Sequence, residues 1–237
     1  LEFPTNAQLG QIRQSNDDRG PAGYTYLGQL LSHDVNKDKD TKFGQMHHAN
    51  DIKSSVSPKL DLDTIYGFED DCNTYLQRDV DPDSDLRFLF PFTAATSCQS
   101  SDEPCDIPRH RTGFPVYWPD DRNDNNWILN SITRVWMKLH NKLFMKFRAE
   151  NPLASNLEIF KKAKIETQRM WQSVALNDIL RNFVKGSVLD DVLAGDCKFY
   201  CEGTKAYDDK RTPVEFSTCL YRIFHSRIAA AYRMKAS

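Results

Sequence analysis

Hydrophobic residues recur at helical spacing most clearly between about residues 125 and 150. Their period of three to four residues, with Pro152 just beyond, predicts an amphipathic α-helix that buries one face. The apolar stripe consists of Ile128, Ile132, Val135, Trp136, Leu139, Leu143, Phe144 and Phe147. His140 lies on this stripe, so we interpret it as a core histidine rather than as a metal ligand.

Two further stretches have the same period. One runs from about Asn156 into the region of Leu180, and the other runs from near Pro213 to the basic end at Arg233 and Lys235. Pro213 suits a first helical turn because its missing N–H would have no intrahelical acceptor there. The predicted buried side of the earlier helix consists of Phe160, Ala163, Ile165, Met170, Trp171 and Leu176.

A helix of about four turns is also predicted for residues 22–37, AGYTYLGQLLSHDVNK. Three leucines can anchor it in a core, namely Leu27, Leu30 and Leu31. Gln29 and His33 are four residues apart and share a helix face, and Asp34 follows directly. A lone histidine in an apolar stretch is more often a core residue than a catalyst, and this stretch alone does not decide between the two.

The segments between the helices lack a helical period. Residues 1–21 are polar and punctuated by Pro and Gly, which predicts an extended arm. Residues 36–60, which include His47 and His48, are interpreted as a surface loop. Residues 70–126 are rich in Pro, Asp, Cys and aromatic residues, which favours long packed connections. The predicted fold class is therefore mainly α, with long irregular connections and little β structure.

Composition excludes several classes of function. The 237 residues include 31 basic and 33 acidic side chains, and no basic run is long enough to mark a nucleic-acid surface. No apolar stretch approaches the roughly 18 residues that a membrane span needs. The N-terminus has neither an initiator Met nor the layout of a signal peptide, so we expect a mature product or a fragment.

The six cysteines form neither a dense disulfide framework nor a zinc pattern. Cys98 with Cys105, and Cys197 with Cys201, could each close a small loop, which suits an oxidising compartment. Against this, the sequence contains no Asn-x-Ser/Thr acceptor. Composition alone leaves the compartment open.

Three separated polar groups stand at the edges of apolar helical patterns. They are Gln29 with His33 and Asp34, then residues 121–124, and finally Arg222 with His225. Two histidines on different helices and an arginine could flank a flat cofactor. They could equally be three satisfied polar sites, and the residue types do not choose between these readings.

Four motifs resemble the animal-type haem peroxidase superfamily, and its bacterial-type and simpler members most closely. The motifs are AGYTYLGQLLSHDV, LDLDTIYG, DDRNDNN…HNKL and TPVEFSTCLYRIFHSRI. They occur in the expected order, and the similarity covers most of residues 21–232. The resemblance implies a haem-peroxidase-like helical core.

The resemblance also implies roles for individual residues. His33 is similar to the distal histidine, which moves a proton between the two oxygens of hydrogen peroxide. Gln29 matches the distal glutamine, and Arg122 matches the distal arginine that stabilises developing negative charge. His225 corresponds to the proximal ligand of the haem iron, and Arg222 to an arginine near the haem.

A calcium site is implied by the same resemblance. In the family, the residue after the distal histidine and an alternating run supply the ligands. Here those residues are Asp34, Ser57, Lys59, Asp61 and Asp63, with Lys59 offering only its backbone carbonyl. Alternate residues of an extended loop point the same way, which suits a cation that takes six to eight oxygen ligands. The alternative is a helix cap with two solvated acids.

Departures from the family pattern refine these expectations. Ser32 and Asn125 occupy the positions where some members carry the acids that esterify haem, so non-covalent haem b is expected. Phe224 stands where the family usually has Gly before the proximal histidine. Family domains continue past the proximal helix and supply an Asn that bonds the proximal imidazole. We therefore expect one incomplete domain over 1–237, divided into 1–21, 22–126 and 127–237, which a separate C-terminal segment could complete.

The function expected from the resemblance is reduction of hydrogen peroxide with oxidation of a small organic or halide donor. A fatty-acid dioxygenase of the cyclooxygenase-like branch is an alternative. That branch uses a tyrosine three residues before the proximal histidine, where this chain has Arg222, while Tyr221 is four before. A second alternative is a haem-less, non-catalytic binding module. The family and the cysteines slightly favour secretion.

Overall fold

Helices dominate the part of the chain that the computed structural model describes. The described residues are 21–38, 41–42, 44–48, 51–67, 90, 106–107, 109, 111–112, 119–195, 201, 203–205, 213, 215–219, 225 and 228. Their α-helices are α1 (Ala22–Val35), α2 (Asp63–Tyr66), α3 (Trp127–Glu150), α4 (Asn156–Val174), α5 (Leu180–Phe183) and α6 (Gly186–Leu193). A 3-10 helix spans Asp121–Asp124, and π-helical turns span Ala175–Ile179 and Glu215–Cys219. The mainly α fold class is confirmed: none of the described residues lies in a strand, and an isolated bridge joins Asp38 to Ser54.

The two long helices, α3 and α4, pack against each other and form the centre of the fold. The Asn126 side chain caps α3 by accepting from the Leu129 N–H at 2.8 Å, and a capping box of Ser155 and Glu158 starts α4. Both helices were predicted from their hydrophobic period, and both begin within two residues of the predicted start. Because the connection between them is only five residues long, they lie side by side as an α-hairpin.

The core between these helices differs in part from the predicted stripes. Trp171 is fully buried, and its ring meets that of Trp136 edge to face at 5.2 Å between centroids. Val135, Ile165 and Met170 were predicted to be buried but are exposed. They lie at the margins of the apolar stripes, where helix rotation decides which residues reach the partner.

Helix α1 lies against α3 and the first π-helical turn. Leu30 and Leu31 bury its apolar face, as predicted, and fully burying one such side chain contributes about 1.5–3 kcal/mol. The helix ends at Val35, where the following backbone turns extended at Asn36. His33 and Asp34 thus lie in its last turn, next to the loop that follows.

His140 is a core residue, as its position on the α3 stripe predicted. Its side chain is fully buried, and its Nδ1 lies 2.9 Å from the Tyr66 hydroxyl. The rings of Phe90 and Phe160 pack edge-on against it at 5.2 and 5.0 Å. By contrast, His47 and His48 are exposed in a loop, also as predicted.

The structure describes all of the helix predicted from Asn156 to Leu180 and part of the helix predicted from Pro213. The run begun by α4 continues through Ala175–Ile179 and α5, so the helix predicted to reach Leu180 exists but contains an unpredicted π-helical turn. Of the helix predicted from Pro213, the described residues are Pro213, Glu215–Cys219, His225 and Ile228. Residues 1–20 of the predicted arm lie outside the described residues, and Pro21 is the N-cap of α1. None of the described helices is both long and apolar enough to cross a bilayer.

Candidate functional site

Gln29 and His33 face one segment of the chain, the stretch from Asp120 to Asn126. The His33 Nδ1 lies 2.8 Å from the Asn123 Oδ1, and the Gln29 Oε1 accepts from the Asn126 Nδ2 at 3.3 Å. The spacing of the two residues along α1 predicted this shared face. Asn123 and Asn126, the hydrogen-bond partners of His33 and Gln29, were not predicted as site residues.

Asn123 is itself held from the far side. Its Nδ2 donates to the Thr64 carbonyl at 3.2 Å and to the Thr64 hydroxyl at 2.6 Å. All three residues are buried, with exposed fractions of 8% for His33, 0% for Asn123 and 1% for Thr64. We call His33, Asn123 and Thr64 the imidazole network.

Arg122 lies beside this network and binds the end of α1. Its Nη1 donates to the Asn36 carbonyl at 2.8 Å, and its Nη2 donates to the His33 carbonyl at 3.0 Å. Its Nε and Nη2 also reach the buried carboxylate of Asp120, the closer contact being 2.6 Å. Arginine therefore satisfies carbonyls that the helix leaves without donors, and His33 and Arg122 are brought together as predicted.

The charges around His33 favour its neutral form. Burial lowers the pKa of His33, and the positive charge of Arg122 lowers it further. Burial works to raise the pKa of Asp120, but the hydrogen bond and charge of Arg122 hold it below its usual value. The Arg122–Asp120 pair is therefore ionised while the adjacent imidazole is held neutral.

Asp34 faces away from this network into a second polar group. Its side chain is fully buried, and its Oδ2 accepts from the Trp171 Nε1 at 2.7 Å. Its Oδ1 is buried with no hydrogen-bond partner among the described residues. Burial, followed by the negative charge of Asp61, raises the pKa of Asp34 well above its usual value.

Ser57, Asp61 and Asp63 complete the group, which we call the acid cluster together with Asp34. The Ser57 hydroxyl donates to the Asp61 Oδ2 at 2.7 Å, and the Ser57 N–H donates to the Asp63 Oδ2 at 3.0 Å. The Asp61 Oδ1 is buried and, within the described part of the chain, has no hydrogen-bond partner. Burial and the charge of Asp61 raise the pKa of Asp63 to about 6.

The backbone of the acid cluster corrects one detail of the prediction. The residues were expected to alternate along one extended loop, but Leu62 is left-handed at φ 58° and Asp63 begins α2. Asp63 therefore reaches the cluster from a helix start rather than from a continued extended run. Lys59 is exposed, and its N–H donates to the Ser57 hydroxyl at 3.1 Å.

One face of α4 clamps the loop that carries the acid cluster. Gln168 donates to the Asp61 carbonyl at 2.6 Å, and Gln172 donates to the Leu60 carbonyl at 3.1 Å. Trp171, which binds Asp34, lies between them on the same face. The sequence predicted that Trp171 lies in the core but did not connect it with Asp34. The glutamines at 168 and 172, on either side of a buried Trp, were a sequence signal that this helix face binds polar groups.

Of the predicted haem-side residues, the structure describes His225. His225 has an exposed side chain in a short turn, where its carbonyl accepts from the Ile228 N–H at 3.3 Å. Arg222 and Phe224 are outside the described residues. In the described part, no set of three or more His, Cys, Asp or Glu side chains is closed around a single metal position.

Comparison with known proteins gives one match. The sequence model of the animal haem peroxidase family matches residues 12–237 of this chain. No curated protein is similar enough to count as a relative.

Proposed function

The chain belongs to the animal haem peroxidase family, and from this premise we propose that it reduces hydrogen peroxide and oxidises a small organic or halide donor. The observation that carries the proposal is the buried His33 imidazole, fixed by Asn123 and flanked by Arg122. These are the residue types that moving a proton between peroxide oxygens requires.

In this proposal His33 is the proton carrier. Its lowered pKa keeps the imidazole neutral near pH 7, so the ring is ready to accept a proton from peroxide. The resulting imidazolium returns that proton to the departing oxygen. Gln29, one turn earlier on α1, is proposed to hydrogen-bond a pocket water or a halide ion.

Arg122 is proposed to act in two ways. Its charge favours the negative charge that develops as the O–O bond breaks. Its bonds to the carbonyls of His33 and Asn36 also hold the last turn of α1, and so they hold the imidazole in position. The Asp120 carboxylate orients the guanidinium through two of its nitrogens.

Haem b is the proposed cofactor, and the residues on the His33 side fit it. The His33 Nε2 makes no hydrogen bond to any described residue, so a neutral imidazole would be able to exchange a proton at that atom if haem were bound. When bound, haem supplies the iron that takes up the oxidising equivalents of peroxide. His225 is proposed as its proximal ligand and Arg222 as a neighbour of the porphyrin. Ser32 and Asn125 cannot form ester links to it.

Calcium is the proposed metal of the acid cluster. Asp34 and Asp61 each have a buried carboxylate oxygen with no hydrogen-bond partner in the described part of the chain, and such oxygens are the ligands that a hard cation takes. Ser57, Asp63 and the Lys59 carbonyl are proposed to complete the ligand set.

Haem reconstitution tests the enzymatic proposal. The protein is expected to show a strong Soret band and to oxidise a phenolic dye only when hydrogen peroxide is present. A protein with no haem spectrum contradicts the proposal and favours a binding module. Oxygen uptake with an unsaturated fatty acid, without added peroxide, favours the dioxygenase instead.

A further inference from the structure

The orientation of the Asn123 amide is fixed by Thr64 rather than by His33. The Thr64 carbonyl, 3.2 Å from the Asn123 Nδ2, can only accept a hydrogen bond, so the amide must present its NH2 group to Thr64. A flipped amide would place two carbonyl oxygens against each other in a buried site. The Asn123 Oδ1 is therefore the atom that faces the His33 Nδ1 at 2.8 Å.

An amide oxygen can only accept, and this determines which nitrogen of His33 carries the proton. We propose that Asn123 is a positioning residue that holds neutral His33 in the Nδ1–H tautomer, with the lone pair on Nε2. Only the catalytic role of this tautomer rests on the proposed peroxidase function. The tautomer itself follows from the contacts of the chain.

The tautomer decides whether the imidazole can start the reaction. With the lone pair on Nε2, the ring accepts the proton of one peroxide O–H, and the N–H bond forms as that O–H bond breaks. The same N–H would then return that proton to the departing oxygen, which leaves as water, and the two oxidising equivalents of the broken O–O bond would pass to the haem proposed above. The opposite tautomer presents an N–H to peroxide and has no lone pair at that position.

Thr64 also connects the imidazole network with the acid cluster. It lies in α2, directly after Asp63 of the acid cluster. The amide that orients His33 is therefore attached to the element whose first residue belongs to that cluster. The imidazole network and the acid cluster are connected through Thr64 as well as through the His33–Asp34 peptide bond.

Nitrogen NMR of the haem-free full chain tests the tautomer directly. With 15N-labelled histidine at mildly alkaline pH, His33 is expected to show a protonated Nδ1 and an unprotonated Nε2, and His33→Gln identifies its signals. Asn123→Leu is expected to shift the population towards Nε2–H, the form that free histidine prefers. Asn123→Asp keeps an acceptor and is expected to retain Nδ1–H, and Asn130→Leu, at another buried asparagine, serves as the matched control.

The wild-type spectrum alone can overturn the inference, even where Asn123→Leu fails to fold, because Nε2–H on wild-type His33 contradicts it. An unchanged tautomer in folded Asn123→Leu contradicts it as well. In haem-loaded protein, Asn123→Leu is expected to slow the reaction with peroxide about 10- to 100-fold, part of the range for a positioned acid–base group. Haem affinity is expected to stay within about twofold, and Asn123→Asp to recover most of the rate.

The two proposals fail separately. An Nδ1–H tautomer in a chain that does not react with peroxide supports the positioning role and sinks the peroxidase function. A peroxide reaction in a chain whose His33 is Nε2–H does the reverse.

Discussion

His33 and Asp34 are neighbours in the chain, yet their side chains enter polar groups of opposite character. In the imidazole network, the contacts of Asn123 match donors to acceptors on both sides of its amide. In the acid cluster, carboxylates of like charge approach one another, and two buried oxygens have no partner among the described residues. The two unpartnered oxygens are buried like the imidazole network, so the contrast does not arise from exposure to solvent.

The difference indicates which group is complete within the chain. A buried polar group with matched partners costs little, whereas an unmatched one costs roughly 1–3 kcal/mol and a buried charge more. The imidazole network therefore needs no added proton or ion to satisfy its buried polar groups. The acid cluster needs a proton or a cation, and the raised pKa values of Asp34 and Asp63 are the signature of that need.

Replacing His33 is expected to have the largest effect, and it tests whether the two groups act separately. His33→Gln keeps much of the side-chain volume but cannot carry a proton, so the reaction with peroxide should slow about 10²- to 10⁴-fold. Stopped-flow spectroscopy of the haem-loaded protein measures this rate. The exposed His47→Gln is the control, and an equal loss in both variants would contradict the role of His33.

Calcium addition is expected to change stability through the acid cluster alone. At a free calcium concentration about one hundred times the dissociation constant, binding should add about 2.7 kcal/mol to the free energy of unfolding. Asp61→Asn should remove most of this gain, and His33→Gln should retain it. Denaturant unfolding with calcium or with a chelator gives the comparison, and an equal gain in Asp61→Asn would place the cation elsewhere.

The smallest expected effect is a pH dependence of opposite sign in the two groups. The pKa of Asp63, about 6, lies above its unfolded value of 3.8, so native protein binds more protons between these values. Without calcium, the cluster should therefore lose stability as pH rises through this window. The lowered pKa of His33 acts in the other direction, because the unfolded histidine gains its proton first as pH falls below 6.5.

His33→Gln separates these contributions because it removes the histidine term. In chelator, this variant should gain roughly 1 kcal/mol from Asp63 as pH falls from 7 towards 5. With calcium the gain should shrink, since protons compete with the metal for the carboxylates. A flat profile in chelator would show that the carboxylates do not titrate as a buried cluster.

Local pattern predicted the helices well and their polar partners poorly. The period of residues 125–150 was enough to find α3 and its core histidine, and the spacing of Gln29 and His33 was enough to place them on one face. Trp171 reaches Asp34 across 137 residues of sequence, and no local pattern encodes that contact. The role of Asn123 depends on His33 and Thr64, which lie 90 and 59 residues away in the sequence, so the motif around Arg122 does not reveal it.

Leu62, in the loop that carries the acid cluster, combines a strained backbone conformation with a buried side chain. Its left-handed backbone turns the chain between Asp61 and Asp63 at a cost of roughly 1–2 kcal/mol, which glycine would avoid. Its side chain is fully buried, however, and burial of a leucine contributes about 1.5–3 kcal/mol. Leu62 therefore supplies both the backbone turn and the hydrophobic anchor. Replacing it to relax the turn between the carboxylates would also remove the side chain that holds the loop in the core.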